Sequence, residues 1–281
     1  MPDRRHTAGF EMRESKHAFY NTLGTIATLS SQWAIMMLIP RITDFKDAGV
    51  FAVALSIVSV LNIVATFYLY AYSVSDGYEK FSKGDYWLCR LFTIGLSFLL
   101  CPVAILVFGY SVEQGLVILG YMLYRNLIHY AYLHMVALQL DDHLDYAGKS
   151  QIVEGIVSFV TFMGIYVPTH DLVLATFVMA VCGGGVFLAL LQWGHSHYIG
   201  SGYPHENGGL PTLRLMILIG IPLMASGVIP IVITALPKIV LQMDLGDEIT
   251  GVFSTLTAPT IIIPTLVTGV FEPFIVRFSD I

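Results

Sequence analysis

Windows of roughly 20 apolar residues, each long enough to cross about 30 Å of hydrocarbon, recur from the first quarter of the chain to its end with only short polar interruptions. They fall at about 20–39, 48–72, 86–109, 112–138, 147–168, 171–193, 213–242 and 249–275. The chain is 56% hydrophobic and only 12% charged, against about 25% charged in soluble domains, and its mean hydropathy is +0.72. These features predict an all-α, polytopic membrane helix bundle of about eight spans.

The first nineteen residues form a polar tail carrying Arg4, Arg5, Arg13 and Lys16. The apolar stretch behind them is too long for a signal-peptide core and has no clear small-residue cleavage site, so it is expected to stay in the mature protein. Orientation follows from lysine and arginine, because basic loops are retained in the cytoplasm. With the N-terminus inside, Arg4, Arg5, Arg13, Lys16, Lys80, Lys83, Arg90, Lys149, Arg214 and Arg277 fall on the cytoplasmic side and only Arg41 and Lys46 outside. Both termini are therefore expected in the cytoplasm. Cys89, Cys101 and Cys182 all lie within spans and show no disulfide or zinc spacing, so they read as packing residues. The basic residues are scattered, which argues for no nucleic-acid partner, and no cofactor motif is visible.

The pattern restarts. Pro40-Arg41-Ile42, Gly49-Val50-Phe51-Ala52 and Ser75-Asp76 recur in order as Pro237-Lys238-Ile239, Gly251-Val252-Phe253-Ser254 and Ser279-Asp280. Repeats of this kind characterise two-lobed transporters. The expected layout is an N-lobe of six helices over 20–194, a cytoplasmic interlobe loop over 195–212, and the first two helices of a parallel C-lobe over 213–281. On this reading the second lobe is incomplete, and a second polypeptide is a candidate to complete it.

Polar residues line up on single faces of the spans. Asn21, Thr25, Thr28 and Gln32 do so in the first, and Ser59, Asn62, Thr66, Tyr70 and Ser73 in the second. Gln114, Tyr121, Arg125, His129, Tyr132 and Gln139 share a face of the fourth, Gln151, Glu154, Ser158 and Thr161 one of the fifth, and Ser254, Thr257, Thr265, Thr268 and Glu272 one of the eighth. Small polar residues often serve only to hold membrane helices together. Arg125 is different, because a cation near the middle of a span costs roughly 2.5–3.5 kcal/mol on insertion scales and is usually kept for a cavity or a partner. Glu154, Lys238 and Glu272 lie nearer span ends, where a structural ion pair is an equal alternative. His134 lies on the opposite face from Arg125 and reads as a packing or interfacial residue.

Asn21, Gln32, Pro40-Arg41, Gly49-Val50-Phe51-Ala52, Ser75-Asp76, Gly84-Asp85-Tyr86 and Arg90, followed by Gly148-Lys149-Ser150-Gln151 and Pro237-Lys238-Ile239, stand in an order that resembles the polysaccharide (O-antigen or capsular) flippases, relatives of multidrug and lipid-II exporters. The resemblance runs over nearly the whole chain. It implies two six-helix lobes around a central cavity that opens alternately to each side of the cytoplasmic membrane. It also implies turnover of an undecaprenyl-diphosphate-linked oligosaccharide for surface polysaccharide, a transport activity and not an enzymatic one. Carried onto these residues, Arg125 and Lys238 become candidates to hold the diphosphate, with His129, Tyr121, Gln32 and Asn62 around the substrate. Glu154 and Glu272 become candidates for a coupling cation, proton or sodium. The chain departs from the family in length, since family members usually have twelve or more spans.

Other readings compete. A multidrug-type exporter of the same superfamily, or a shortened chain that no longer transports, would share the pattern. Asp141-Asp142-His143-Leu144-Asp145 matches the aspartate-rich signature of membrane prenyltransferases, which hold a diphosphate through Mg²⁺. The second cluster such an enzyme needs has one candidate, Asp244 with Asp247 and Glu248, and it falls on the opposite side of the membrane. His195, His197 and His205 suggest a metal only by number, because nothing around them supplies ligand geometry.

Overall fold

The computed structural model of the chain describes residues 4–67, 69–76, 78, 80–200 and 210–261. Among these residues it is helical with no strand: α1 (Arg4–Ile42), α2 (Phe45–Thr66), α3 (Leu69–Asp76), α4 (Lys83–Val107), α5 (Val112–Leu140), α6 (Leu144–Thr169), α7 (Leu172–Met179), α8 (Gly185–Tyr198) and α9 (Leu210–Thr257). A π-helical turn, Ala180–Gly184, joins α7 to α8, so the two run on as one rod.

Among the described residues six segments are long and apolar enough to cross a membrane: Phe19–Ile42, Phe45–Thr66, Lys83–Val107, Leu144–Thr169, Leu172–Tyr198 and Met224–Thr260. They mark a multi-pass membrane protein. Helix α5 is absent from this set and owes its place to packing. It is the most polar of the long helices behind α1 and sits in the middle, against α2, α4, α7 and α8. Its apolar side chains Val117, Ile118, Met122, Tyr124, Ile128 and Leu138 are buried. The lipid-compatible surface is left to its neighbours, such as Leu99, Leu106 and Val107 of α4.

Two ends of the bundle can be told apart by contacts. At one end Asp44 caps α2 through the Asp47 amide, and Tyr166, near the end of α6, donates to Asp47 at 2.6 Å. Ser111 and Gln114 form a capping box on α5, and Gln114 Nε2 also donates to both carboxylate oxygens of Asp247, at 2.8 and 2.9 Å. At the other end Lys16 and His17 of α1 meet Asp142 and Asp145 of the α5–α6 turn, and His143 stacks on Tyr198 at 4.2 Å. We call these the Asp44 end and the Asp145 end.

Three expected spans look different in place. The span at 48–72 is broken, because α2 stops at Thr66 with Phe67 in the left-handed region (φ 45°) and α3 starts anew at Leu69. The span at 213–242 and the described part of the one at 249–275 share α9, which is interrupted at Gly246, whose φ of 85° and ψ of 179° no helical residue adopts. Gly246 stands 202 residues after Asp44, which is extended at the start of α2. Both copies of the repeat thus break the helix at the same place. Residues 262–281, with Glu272 and Ser279-Asp280, lie outside the described residues.

Among the described residues the most extensive helix contacts are between α2 and α9 and between α1 and α6. On α1 and α6 they run through small residues, since Gly148 lies on the backbone of Tyr20 and Asn21, and Gly155 on that of Ala27. Such positions let two backbones approach and replace the hydrophobic drive that lipid cannot provide.

Candidate functional site

Arg125 lies near the middle of α5, about 20 Å along the axis from Val112 at 1.5 Å per residue. It is half-buried and makes no hydrogen bond or ion pair with any described residue. Tyr121, Tyr124 and Tyr132 are its electrostatic neighbours, with Glu154 beyond them. Of the residues that share its face, Tyr121 and His129 are buried at 4% and 1% exposure. Tyr121 packs edge-on against Phe51 of α2 at 5.8 Å. His129 lies 5.9 Å from the Tyr132 ring, and neither of its ring nitrogens has a partner. The ends of the stripe are tied elsewhere, Gln114 to Asp247 and Gln139 to Tyr70. The expected polar face is therefore closed at both ends by partners on other elements.

Gln32 and Asn62 are half-buried, and Gln32 Nε2 and Asn62 Oδ1 have no partner within the bundle. Lys238 is half-buried on α9 and makes no ion pair with a described residue. No hydrogen bond or ion pair joins Arg125, Lys238, Gln32 and Asn62 to one another.

Glu154 has a built environment. It is 2% exposed, and three hydroxyls from three helices surround its carboxylate: Thr28 of α1 donates at 2.8 Å, Ser158 one turn on in α6 donates at 2.9 Å, and Tyr124 of α5 donates through its phenol. The π turn packs on the same spot, and a side chain at Gly183 would overlap Ser158 Oγ. A π turn adds one residue to the helix and interrupts its regular hydrogen bonding, and such turns are frequent at functional sites. Buried carboxylates need this kind of compensation. Gln151, a turn before Glu154, lies against α1 with its Oε1 unpartnered, as is Asn21 Oδ1 across the seam. The fifth-span stripe thus gathers oxygen atoms around one carboxylate, a chemistry suited to a proton or a hard cation.

Several sequence marks have structural tasks. Asp76 accepts the amides of Lys80 and Phe81 and the Tyr86 phenol, the last at 2.9 Å, and so folds the connection to α4. Ser82 and Asp85 form the capping box that starts α4. Burial pushes the Tyr78 phenol in that connection up to about 12, which keeps it protonated. Lys149 pairs with Asp145 at 2.9 Å and lies over the Tyr20 ring. In the aspartate-rich turn, Lys16, His17 and Lys149 engage Asp142 and Asp145, while His143 faces Asp141. Among the described residues no group of three or more His, Cys, Asp or Glu side chains is arranged to hold a metal. His195 and His197 belong to the last turn of α8.

Arg90, counted above on the cytoplasmic side, is 1% exposed. Its Nη1 donates to the carbonyls of Ala65 at 2.9 Å and Thr66 at 3.0 Å, and Thr93 also donates to Ala65 O. It is a buried cap on the C-terminus of α2, where free carbonyls and the helix dipole both favour a cation. Periodicity holds the signal, because Arg90, Thr93 and Ser97 recur at i, i+3 and i+7 on the one buried face of α4.

Over 242 residues, 86% of its length, the chain is 22% identical to the capsular polysaccharide biosynthesis protein CapF of Staphylococcus aureus, of which it covers 60%. It thus spans about three fifths of the length of that curated relative. No protein-family model and no solved structure matches the chain. The similarity is to a protein of polysaccharide biosynthesis, and the helices are those of a membrane protein.

Proposed function

We propose that the chain is a transporter of the flippase type, which moves a polyprenyl-diphosphate-linked oligosaccharide from the inner to the outer leaflet of the cytoplasmic membrane for surface polysaccharide. The observation that carries this reading is Arg125, a cation midway along the central helix with no anionic group bonded to it among the described residues. A membrane protein keeps such a cation for an anion it meets in its working cycle. A diphosphate meets that need through charge-assisted hydrogen bonds, and the similarity to a capsular polysaccharide protein supports a glycan on the lipid.

In this reading Arg125 holds the diphosphate, Lys238 meets it from α9, and Tyr121, His129, Gln32 and Asn62 complete the surroundings. Glu154 binds the coupling cation, a proton or sodium, with Thr28, Tyr124 and Ser158 as its orienting groups, and Glu272 is a second candidate. The chain acts as a carrier, without catalysing bond chemistry. The Asp145 end, with Lys16, Lys80, Lys83 and Lys149, faces the cytoplasm and the Asp44 end faces outward, with both termini inside.

The test is chromosomal replacement of Arg125 by alanine and by lysine in the host. Arg125→Ala should reduce surface polysaccharide at least about tenfold and accumulate the lipid-linked unit on the inner leaflet, with Arg125→Lys keeping part of the activity. Unchanged surface polysaccharide in Arg125→Ala would end this reading.

A further inference from the structure

Asp247, to which the transport reading gives no task, is held twice. Gln114 of α5 donates from Nε2 to both of its carboxylate oxygens, at 2.8 and 2.9 Å. Its backbone carbonyl lies against Gly49 of α2, where a Cβ would overlap it. Gln114 is 8% exposed and does not depend on α9 for its direction, because its Oε1 accepts the Ser111 amide at 2.8 Å in the capping box of α5. The donor is therefore aimed before Asp247 arrives. The surrounding rim is also fixed, since Thr43 and Tyr166 both donate to Asp47, at 3.2 and 2.6 Å, and so tie the turn between α1 and α2 to α6.

The residue before Asp247 is Gly246, where α9 breaks with φ 85° and ψ 179°. A Cβ there would meet nothing within 4 Å, so the break stands in open space. Glycine passes between such angles and others at little cost, and a change of φ and ψ at one residue re-aims the whole segment beyond it. The backbone crossing at Gly49 is van der Waals contact, without a hydrophobic drive in lipid. The directional tie is the charge-assisted bond from Gln114. We propose that Gln114 and Asp247 form a latch that closes the Asp44 end of the bundle, and that α9 swings about Gly246 when the latch lets go. The purpose of the opening, release toward the outer leaflet, rests on the transport reading; the latch itself is a property of the chain that is measurable without transport.

The experiment places spin labels at Lys46→Cys and Glu248→Cys in lipid nanodiscs, in a background without Cys89, Cys101 and Cys182. Both positions are exposed and stand 202 residues apart, at matching sites of the repeat. Double electron–electron resonance should give one predominant short distance with Gln114 in place. Gln114→Glu keeps the capping box but sets two carboxylates against each other, and the population of a second, longer distance should rise at least about tenfold. Asp247→Ala, which removes the acceptor, should show the same longer distance and decides the matter should Gln114→Glu fail to fold. Identical distance distributions with and without the latch residues would overturn the proposal. Bridging the two cysteines with a reducible thiol reagent should stop transport and reduction should restore it, whereas transport by the bridged chain would overturn the latch as a gate. A longer distance in the variants of a chain that never transports would support the latch and remove the transport reading instead.

Discussion

Gly49 and Gly251 meet the opposite copy of the repeat in the same way: a Cβ on Gly49 would overlap the carbonyl oxygen of Asp247, and one on Gly251 would overlap that of Phe45. The two glycines are 202 residues apart, and so are Phe45 and Asp247. Contacts that are exchanged in this manner are the signature of a two-fold relation, here inside one chain. The Gly-Val-Phe mark repeats because each copy must admit the other's backbone.

Substituting either glycine by alanine should therefore act alike. Gly49→Ala and Gly251→Ala should each lower stability by about 1–3 kcal/mol, the usual cost of overpacking, and more if the backbones cannot part. Gly95→Ala and Gly164→Ala, where a Cβ meets nothing within 4 Å, should leave it unchanged. Thermal unfolding of the four variants in detergent checks this. A harmless Gly49→Ala would remove the crossing from the account.

The connection before α4 offers a second check. Asp76→Ala removes the acceptor for two amides and the Tyr86 phenol and should cost about 1–2 kcal/mol. Limited trypsin digestion should then cut at Lys80 or Lys83 markedly faster than in the unaltered chain. Tyr86→Phe, which loses one of those bonds, should show a smaller increase.

Glu154 provides a third. Glu154→Gln should leave the helices assembled, since an amide still accepts from Thr28 or Tyr124, but should abolish the dependence of transport on a cation gradient. Tyr124→Phe should weaken that dependence without abolishing it. Transport assays in vesicles with imposed proton or sodium gradients separate the two. Gradient-driven transport by Glu154→Gln at the original rate would exclude this carboxylate as the coupling site.

Membrane character and the polar stripes were legible from hydropathy and period alone, because both are linear in the sequence. The repeat was legible as well, down to the pair Gly49 and Gly251. The break at Phe67 was not, since it depends on Arg90 reaching across from α4 to the carbonyls of Ala65 and Thr66. The same residue was counted only as a charge on the cytoplasmic side, because charge counting does not reveal burial. The stripe on α5 predicted one continuous face, yet partners on other elements close its ends, Asp247 on Gln114 and Tyr70 on Gln139. The π turn beside Glu154 leaves only a run of glycines, Gly183-Gly184-Gly185, as its trace.

Orientation has its own measurement. Gly109, His170 and Gly246 belong to the Asp44 end, and reporter fusions there should signal from outside, while fusions at Ser82 and Gly202 should signal from the cytoplasm. An external signal at Ser82 would invert the assignment of the two ends.

The central claim is that Arg125 awaits a diphosphate, and direct binding tests it best. The chain in lipid nanodiscs should bind undecaprenyl diphosphate, followed by native mass spectrometry, with at least about tenfold loss in Arg125→Ala, the equivalent of roughly 1.4 kcal/mol, and a smaller loss in Arg125→Lys. The uncharged undecaprenol should bind the native and Arg125→Ala chains equally. Equal binding of the diphosphate by native and Arg125→Ala chains would contradict the account.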